Sequence, residues 1–184
     1  MTEKQNRNLD IYLLEYDKLK EEQAQRIGFR DNMIYVTLGV FGGIISFALT
    51  NKVNYYALLV IPFVCLILGW TYLVNDEKIS AIGRYIRLTL VEKIKQETSN
   101  NEIESIFGWE IVHRSDKRRR RRKIEQLIID EITFVFSGIF GLIAFWILVQ
   151  PNHWAIILLC ILEILLLIIL GIEIVIYADL ATGR

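Results

Sequence analysis

The stretch that decides the fold is WAIILLCILEILLLIILGIEIVIY, residues Trp154–Tyr177. Apart from Glu163 and Glu173 it is built almost wholly of aliphatic and aromatic residues, with no base anywhere in it. Crossing a hydrocarbon layer of ~30 Å takes ~20 helical residues, so this segment is long enough to span a bilayer. Working back along the chain, Ile132–Val149, Tyr55–Val74 and Met33–Thr50 are of similar length and carry no acidic or basic side chain. A soluble bundle would have to hide four such helices from water. A chain of 184 residues, even with 23% charged residues, has too little polar surface to do so. Mean hydropathy is +0.37, but the concentration of apolar residues into span-length blocks is the stronger signal. The expected fold class is therefore an all-α membrane protein. Its four transmembrane helices form two hairpins, with cytosolic helical extensions.

Net charge is zero, yet the charges are unevenly placed. Of 21 Lys and Arg residues, six precede the first span and thirteen lie between the second and third, while only Lys52 lies between paired spans. Excess Lys and Arg in cytoplasmic segments sets orientation. The expectation is a multi-pass protein of a bacterial inner (plasma) membrane with both termini cytoplasmic. The polar start, about thirty residues long, is unlike a signal peptide, which has a short basic start and a short apolar core. The predicted division is a cytosolic N-terminal helix at 1–32 and a first transmembrane pair at 33–74. A cytosolic helical segment at 75–131, a second pair at 132–177 and a tail at 178–184 follow.

Within 1–32, Leu9, Tyr12, Tyr16 and Leu19 recur at helical spacing and make one apolar stripe that needs a partner. Beyond the second span, Ile79, Ile82, Ile86, Leu90 and Ile94 repeat the pattern. Gln96–Glu102 reads as a turn, and Ile103–Val112 as a short apolar patch with Phe107 and Trp109. The outer connections, Asn51–Asn54 and Gln150–His153, leave room only for tight links, so function is expected on the cytoplasmic side.

Asp31–Leu49 aligns with Asp130–Leu148 at a constant offset, with identities at Asp31/Asp130, Gly39/Gly138, Phe41/Phe140, Gly42/Gly141 and Leu49/Leu148. Each unit of the repeat holds an even number of spans, so both copies share one orientation. The expected relation is a parallel repeat about an axis along the membrane normal.

No phosphate-binding glycine loop, His-Glu-x-x-His, Cys-x-x-Cys or nucleophile elbow is present. His113 and His153 are expected on opposite sides of the membrane, and Cys65 and Cys160 both fall within spans as packing residues. No catalytic residue, metal site or cofactor is predicted. Glu163 is the sharpest feature: nine residues beyond Trp154, at ~1.5 Å per residue, it lies ~13 Å deep, near the midplane. Intramembrane acids face a bundle interior or a watery path and suggest function, and a protonated Glu bonding a neighbouring helix is the equally weighted alternative. Glu173 is near enough to the inner end to reach the interface.

Helix packing is assigned to Gly39, Gly42 and Gly43, with Ser46 on the same face, and to Ser137, Gly138 and Gly141 in the third span. Small residues at four-residue steps let helix backbones approach closely in lipid, within one chain or between chains. Pro62 predicts a kink in the second span. Tyr55, Tyr56, Trp146 and Trp154 toward the outer boundary, and Tyr35, Trp70, Tyr72 and Tyr177 toward the inner, read as anchors at headgroup depth. The run Lys117, Arg118, Arg119, Arg120, Arg121, Arg122, Lys123 is assigned to lipid or phosphate contact; its simplest role is to hold the chain on the cytoplasmic side. Expected partners are the lipid bilayer, further copies of the chain, and a cytosolic protein or phosphorylated (nucleotide) ligand; nucleic acid is disfavoured.

The blocks Arg26-Ile-Gly-Phe-Arg30-Asp31-Asn32, Leu68-Gly-Trp-Thr-Tyr-Leu-Val-Asn-Asp76-Glu77-Lys78-Ile-Ser80, Ile82-Gly-Arg84-Tyr-Ile-Arg87 and Phe107-Gly-Trp109-Glu110 carry a resemblance over most of the chain. They resemble a family of small, largely uncharacterised bacterial integral membrane proteins. The resemblance implies a setting in conflict or antiphage modules, where multi-span effectors damage the inner membrane after a cytosolic sensor fires. It implies no residue-specific role. From these features the expected function is a homo-oligomeric effector that forms or gates a permeation path, with a membrane-anchored adaptor or a small transporter as alternatives.

Overall fold

A computed structural model describes residues 3–50, 55–98, 108 and 118–178. Among them the chain is all-helical, and four helical stretches are long and apolar enough to cross a membrane: Glu3–Thr50, Tyr55–Thr98, Arg119–Val149 and Trp154–Tyr177. The elements are α1 (Glu3–Thr50), a 3-10 turn (Tyr55–Leu59) leading into α2 (Val60–Tyr85), a π-helical turn (Ile86–Leu90) and α3 (Val91–Thr98). After them come α4 (Arg119–Asp130), a second π-helical turn (Glu131–Phe136), α5 (Ser137–Val149) and α6 (Trp154–Tyr177). The connection at Asn51–Asn54, the patch residues Phe107 and Trp109, His113, Lys117 and residues 179–184 lie outside the described residues.

The N-terminal helix and the first span are one uninterrupted helix. No Gly or Pro breaker with turn chemistry separates Phe29 from Met33, so the i to i+4 ladder has no reason to stop. Pro62, expected to kink the second span, falls in the first turn of α2, directly after the 3-10 turn. A missing backbone N–H is tolerated there, because first-turn donors have no intrahelical acceptor anyway.

The chain divides into two compact units, Met1–Phe29 with Asn75–Arg120, and Arg30–Val74 with Arg121–Arg184. The first unit is a pair of helical segments closed by Ile86, Leu90, Val91 and Ile94, against which Leu9, Tyr12, Tyr16 and Leu19 pack. The two apolar stripes read from the sequence thus meet each other. Polar clasps fix their register: Asn8 Nδ2 donates to Glu97 Oε1 (2.8 Å), Gln23 Nε2 to the Ile79 carbonyl (3.2 Å) and Arg26 Nη1 to Asn75 Oδ1 (3.3 Å). These pairings advance along one segment as they retreat along the other, so the segments run antiparallel. Tyr85 donates to Glu15 at 2.7 Å, and Lys93 Nζ lies 5.7 Å from the ring centres of both Tyr12 and Tyr85.

The second unit is the larger apolar bundle. Its core is Ala48, Leu58, Ile61, Cys65, Leu142, Phe145, Cys160 and Leu167 at one level, and Met33, Tyr72, Leu73, Phe134, Val135, Leu170 and Ile174 at another. The buried positions of α6 are Cys160, Glu163, Leu167, Leu170, Gly171 and Ile174, steps of three and four that keep one seam facing inward. Its outward side carries Leu162, Leu165, Ile169, Ile172 and Ile176, each about half exposed or more. Polarity is inverted relative to a water-soluble bundle. Glu163, Thr37, Asp130 and Thr133 are inside while leucine and isoleucine coat the outside, an apolar surface far beyond what water tolerates. The second segment of this unit starts at Arg121, and Leu127 of α4 packs on the Tyr72 and Phe134 layer.

Candidate functional site

Three glycines set the closest approaches in the second unit. A Cβ added at Gly138 would lie 2.8 and 2.9 Å from the Leu167 methyl carbons and 3.5 Å from Cys65 Cβ, so α5, α6 and α2 converge there. At Gly141 it would lie 2.9 Å from Ile61 Cβ, and at Gly69 2.7 Å from a Leu170 methyl carbon and 3.0 Å from Phe134 Cβ. Glu163 is a buried residue of α6, one turn before Leu167 and one turn after Cys160 on its inward seam. It is fully buried, and neither carboxyl oxygen has a hydrogen-bond partner among the described residues. A carboxyl group offers about four acceptor positions when ionised and a donor as well when neutral, and none of them is satisfied here. Most buried polar side chains in proteins do have partners, so this exception requires a reason.

A second polar group lies at the other level of the same unit. Tyr72, 2% exposed, donates its hydroxyl to Asp130 and accepts from Gln126 Nε2 at 3.0 Å, while the Arg30 guanidinium stands 5.9 Å from its ring centre. Glu131 Oε1 is buried without a partner, and its Oε2 would touch a Cβ at Gly171 at 3.2 Å. The π-helical turn Glu131–Phe136 follows directly, a conformation that recurs at functional sites. Tyr72 is therefore an interior hydrogen-bonding residue, and not the headgroup anchor expected of it. The other described anchors, Tyr35, Tyr56, Trp70, Trp146, Trp154 and Tyr177, do face outward, with Tyr55 intermediate.

The remaining predicted residues are scattered. Gly39, Gly42 and Gly43 are exposed and have nothing within 4 Å of a would-be Cβ, so this face of α1 packs on no described part of the chain. Gly138 and Gly141, which align with Gly39 and Gly42 in the sequence, are fully engaged, whereas Ser137 is half-buried and gives its hydroxyl to the Ile132 carbonyl at 2.9 Å. Glu173 is half-buried on α6. Of the basic run, Arg119–Lys123 form the first turns of α4, Arg118 directly precedes it, and Arg121 pairs with Glu125 at 2.8 Å. Among the described residues no group of three or more His, Cys, Asp or Glu side chains could hold a metal ion.

Sequence reasoning found Glu163 but missed the Tyr72, Gln126 and Asp130 group. One signal was available: Gln126 and Asp130 are four residues apart and share the helix face of Leu127 and Phe134, which enters the core. No protein family model matches the chain, and no curated protein or solved structure is significantly similar to it.

Proposed function

We propose that the chain is a homo-oligomeric effector of the bacterial inner membrane. It forms or gates a permeation path in response to a signal received on its cytoplasmic helices. The carrying observation is Glu163: a fully enclosed carboxyl with both oxygens unpartnered is a destabilising group that helix packing alone does not call for. Groups of this kind inside apolar bundles face the interior or a water-filled path and recur in ion and proton pathways. The open Gly39–Gly43 face of α1 supports assembly of several copies, because small residues at this spacing allow close helix contact in lipid. Two transmembrane pairs related as a parallel repeat fit the contact of the equivalent rings Phe41 and Phe140, whose centres are 6.2 Å apart. The charge asymmetry of the sequence supports cytoplasmic termini. The resemblance noted above supports a role in antiphage defence.

The test is membrane potential and entry of an impermeant dye in bacteria after induced expression. Wild type depolarises the cells, and a Glu163→Leu variant shown to insert does not. Equal permeabilisation by the variant removes Glu163 from the path.

A second reading, a membrane-anchored adaptor, is favoured by one observation: Ile11 and Leu14 are 54% and 61% exposed on the first unit, outside its own core. It predicts that Ile11→Asp with Leu14→Asp abolishes function without altering any ion flux.

A further inference from the structure

We propose that Glu163 is a proton-binding site that locks the seam between α6, α5 and α2. The carboxyl occupies the closed bundle as the neutral acid, and release of its proton requires the seam to part and admit water. The inference deepens the permeation reading and rests on it for biological purpose, though not for its chemistry. Two features of the site carry it, and linkage supplies the coupling.

The seat is closed. The Leu167 methyl carbons fill the Gly138 notch and the Ile61 side chain fills the Gly141 notch, each to within 3 Å of where a Cβ would be. Glu163 itself has no exposed surface.

The seat also lacks any counter-charge. On α6 the neighbouring titratable group is the Cys160 thiol, and on α2 it is the Cys65 thiol. The apolar cluster that holds Cys160 is completed on α5 by Leu142 and Phe145 and on α1 by Ala48, with Phe41, Ile44 and Ile45 packed against it, and the Tyr56 ring lies 5.6 Å from that of Phe145. Neither Glu163 carboxyl oxygen meets a hydrogen-bond donor, charged or neutral, among the described residues. An anion here has neither cation nor donor, and the way to accommodate it is hydration, which the closed packing forbids.

Linkage then makes the coupling reciprocal. If opening the seam favours the anion, loss of the proton favours opening by the same factor. Any signal that pulls α6 from α5 discharges the proton, and alkaline conditions mimic the signal.

Two native thiols report on the seam, since Cys65 and Cys160 are each 1% exposed. The full chain in phospholipid nanodiscs is followed across pH by infrared spectroscopy and by the rate of maleimide modification, in wild type and Glu163→Gln. The glutamine keeps the shape and both thiols but cannot ionise. At neutral pH wild type shows a protonated-carboxyl carbonyl band that Glu163→Gln lacks. As pH rises that band is lost, and thiol modification of wild type accelerates about tenfold beyond that of Glu163→Gln. Comparison with the variant removes the contribution of thiol ionisation itself. A Glu163→Asp variant restores the pH dependence, and Glu163→Leu serves as the non-ionisable control if the glutamine variant does not fold. Absence of the band at neutral pH overturns the proposal, and so does thiol reactivity that rises equally in wild type and variant. Neither readout involves ion flux, so a chain that fails to permeabilise cells can still pass this test. A chain that permeabilises can likewise fail it.

Discussion

At Gly138 and Gly141 the missing Cβ is what lets Leu167 and Ile61 seat against the α5 backbone, so these two positions tolerate no side chain. Gly138→Val forces a repacking that costs about 1–3 kcal/mol. Thermal unfolding in detergent shows a lowered midpoint for it. Glu163 behaves in the opposite sense. Replacing an unpartnered buried carboxyl by Leu removes an unsatisfied group, and stability stays level or rises by up to about 2 kcal/mol. A clear loss of stability in Glu163→Leu would reveal a hydrogen bond that this account lacks. Glu163 was legible from sequence because an acid at the middle of a run of leucine and isoleucine has no soluble explanation. Tyr72 was not, because the amphipathic ring that suits a headgroup also suits a buried hydroxyl with two partners, and only the neighbouring helices decide between them.

Among the elements, the apolar stripes were readable and the joints between helices were not. The Leu9–Leu19 and Ile82–Ile94 stripes pair as their periodicity demands, since each was too apolar to face water alone. The continuity of α1 through residues 29–33 was missed, because a change from polar to apolar composition looks like a boundary although nothing in the backbone requires one. The two π-helical turns, Ile86–Leu90 and Glu131–Phe136, left no signal in periodicity; each shifts the stripe by a residue that sequence spacing absorbs as ordinary drift. Within the first unit, Leu90 is fully buried at the π-helical turn. Leu90→Ala should cost about 2–5 kcal/mol and release the pairing of α1 with α3, read as faster amide exchange across Leu9–Leu19. Tyr85→Phe, which removes the donor to Glu15, should cost about 1–2 kcal/mol and leave the helices paired.

Considered as a whole, the molecule puts leucine and isoleucine outside and its unpartnered acids inside, an arrangement stable only in an apolar solvent. Four span-length helices were evident from composition; what one chain leaves undone was not. The Gly39, Gly42 and Gly43 face is open in a single chain, while the equivalent face of α5 is filled by Leu167 and Ile61. Assembly through that face predicts that Gly39→Leu with Gly43→Leu shifts the detergent-solubilised particle toward the monomer by mass photometry, with helix content unchanged. An unaltered particle mass would place the contact between copies elsewhere.

Membrane potential in bacteria expressing the full chain, with Glu163→Leu confirmed in the membrane as the control, tests the central claim most directly. The account predicts rapid depolarisation by wild type and an undisturbed potential with the variant. Depolarisation of equal speed and extent in both would contradict it.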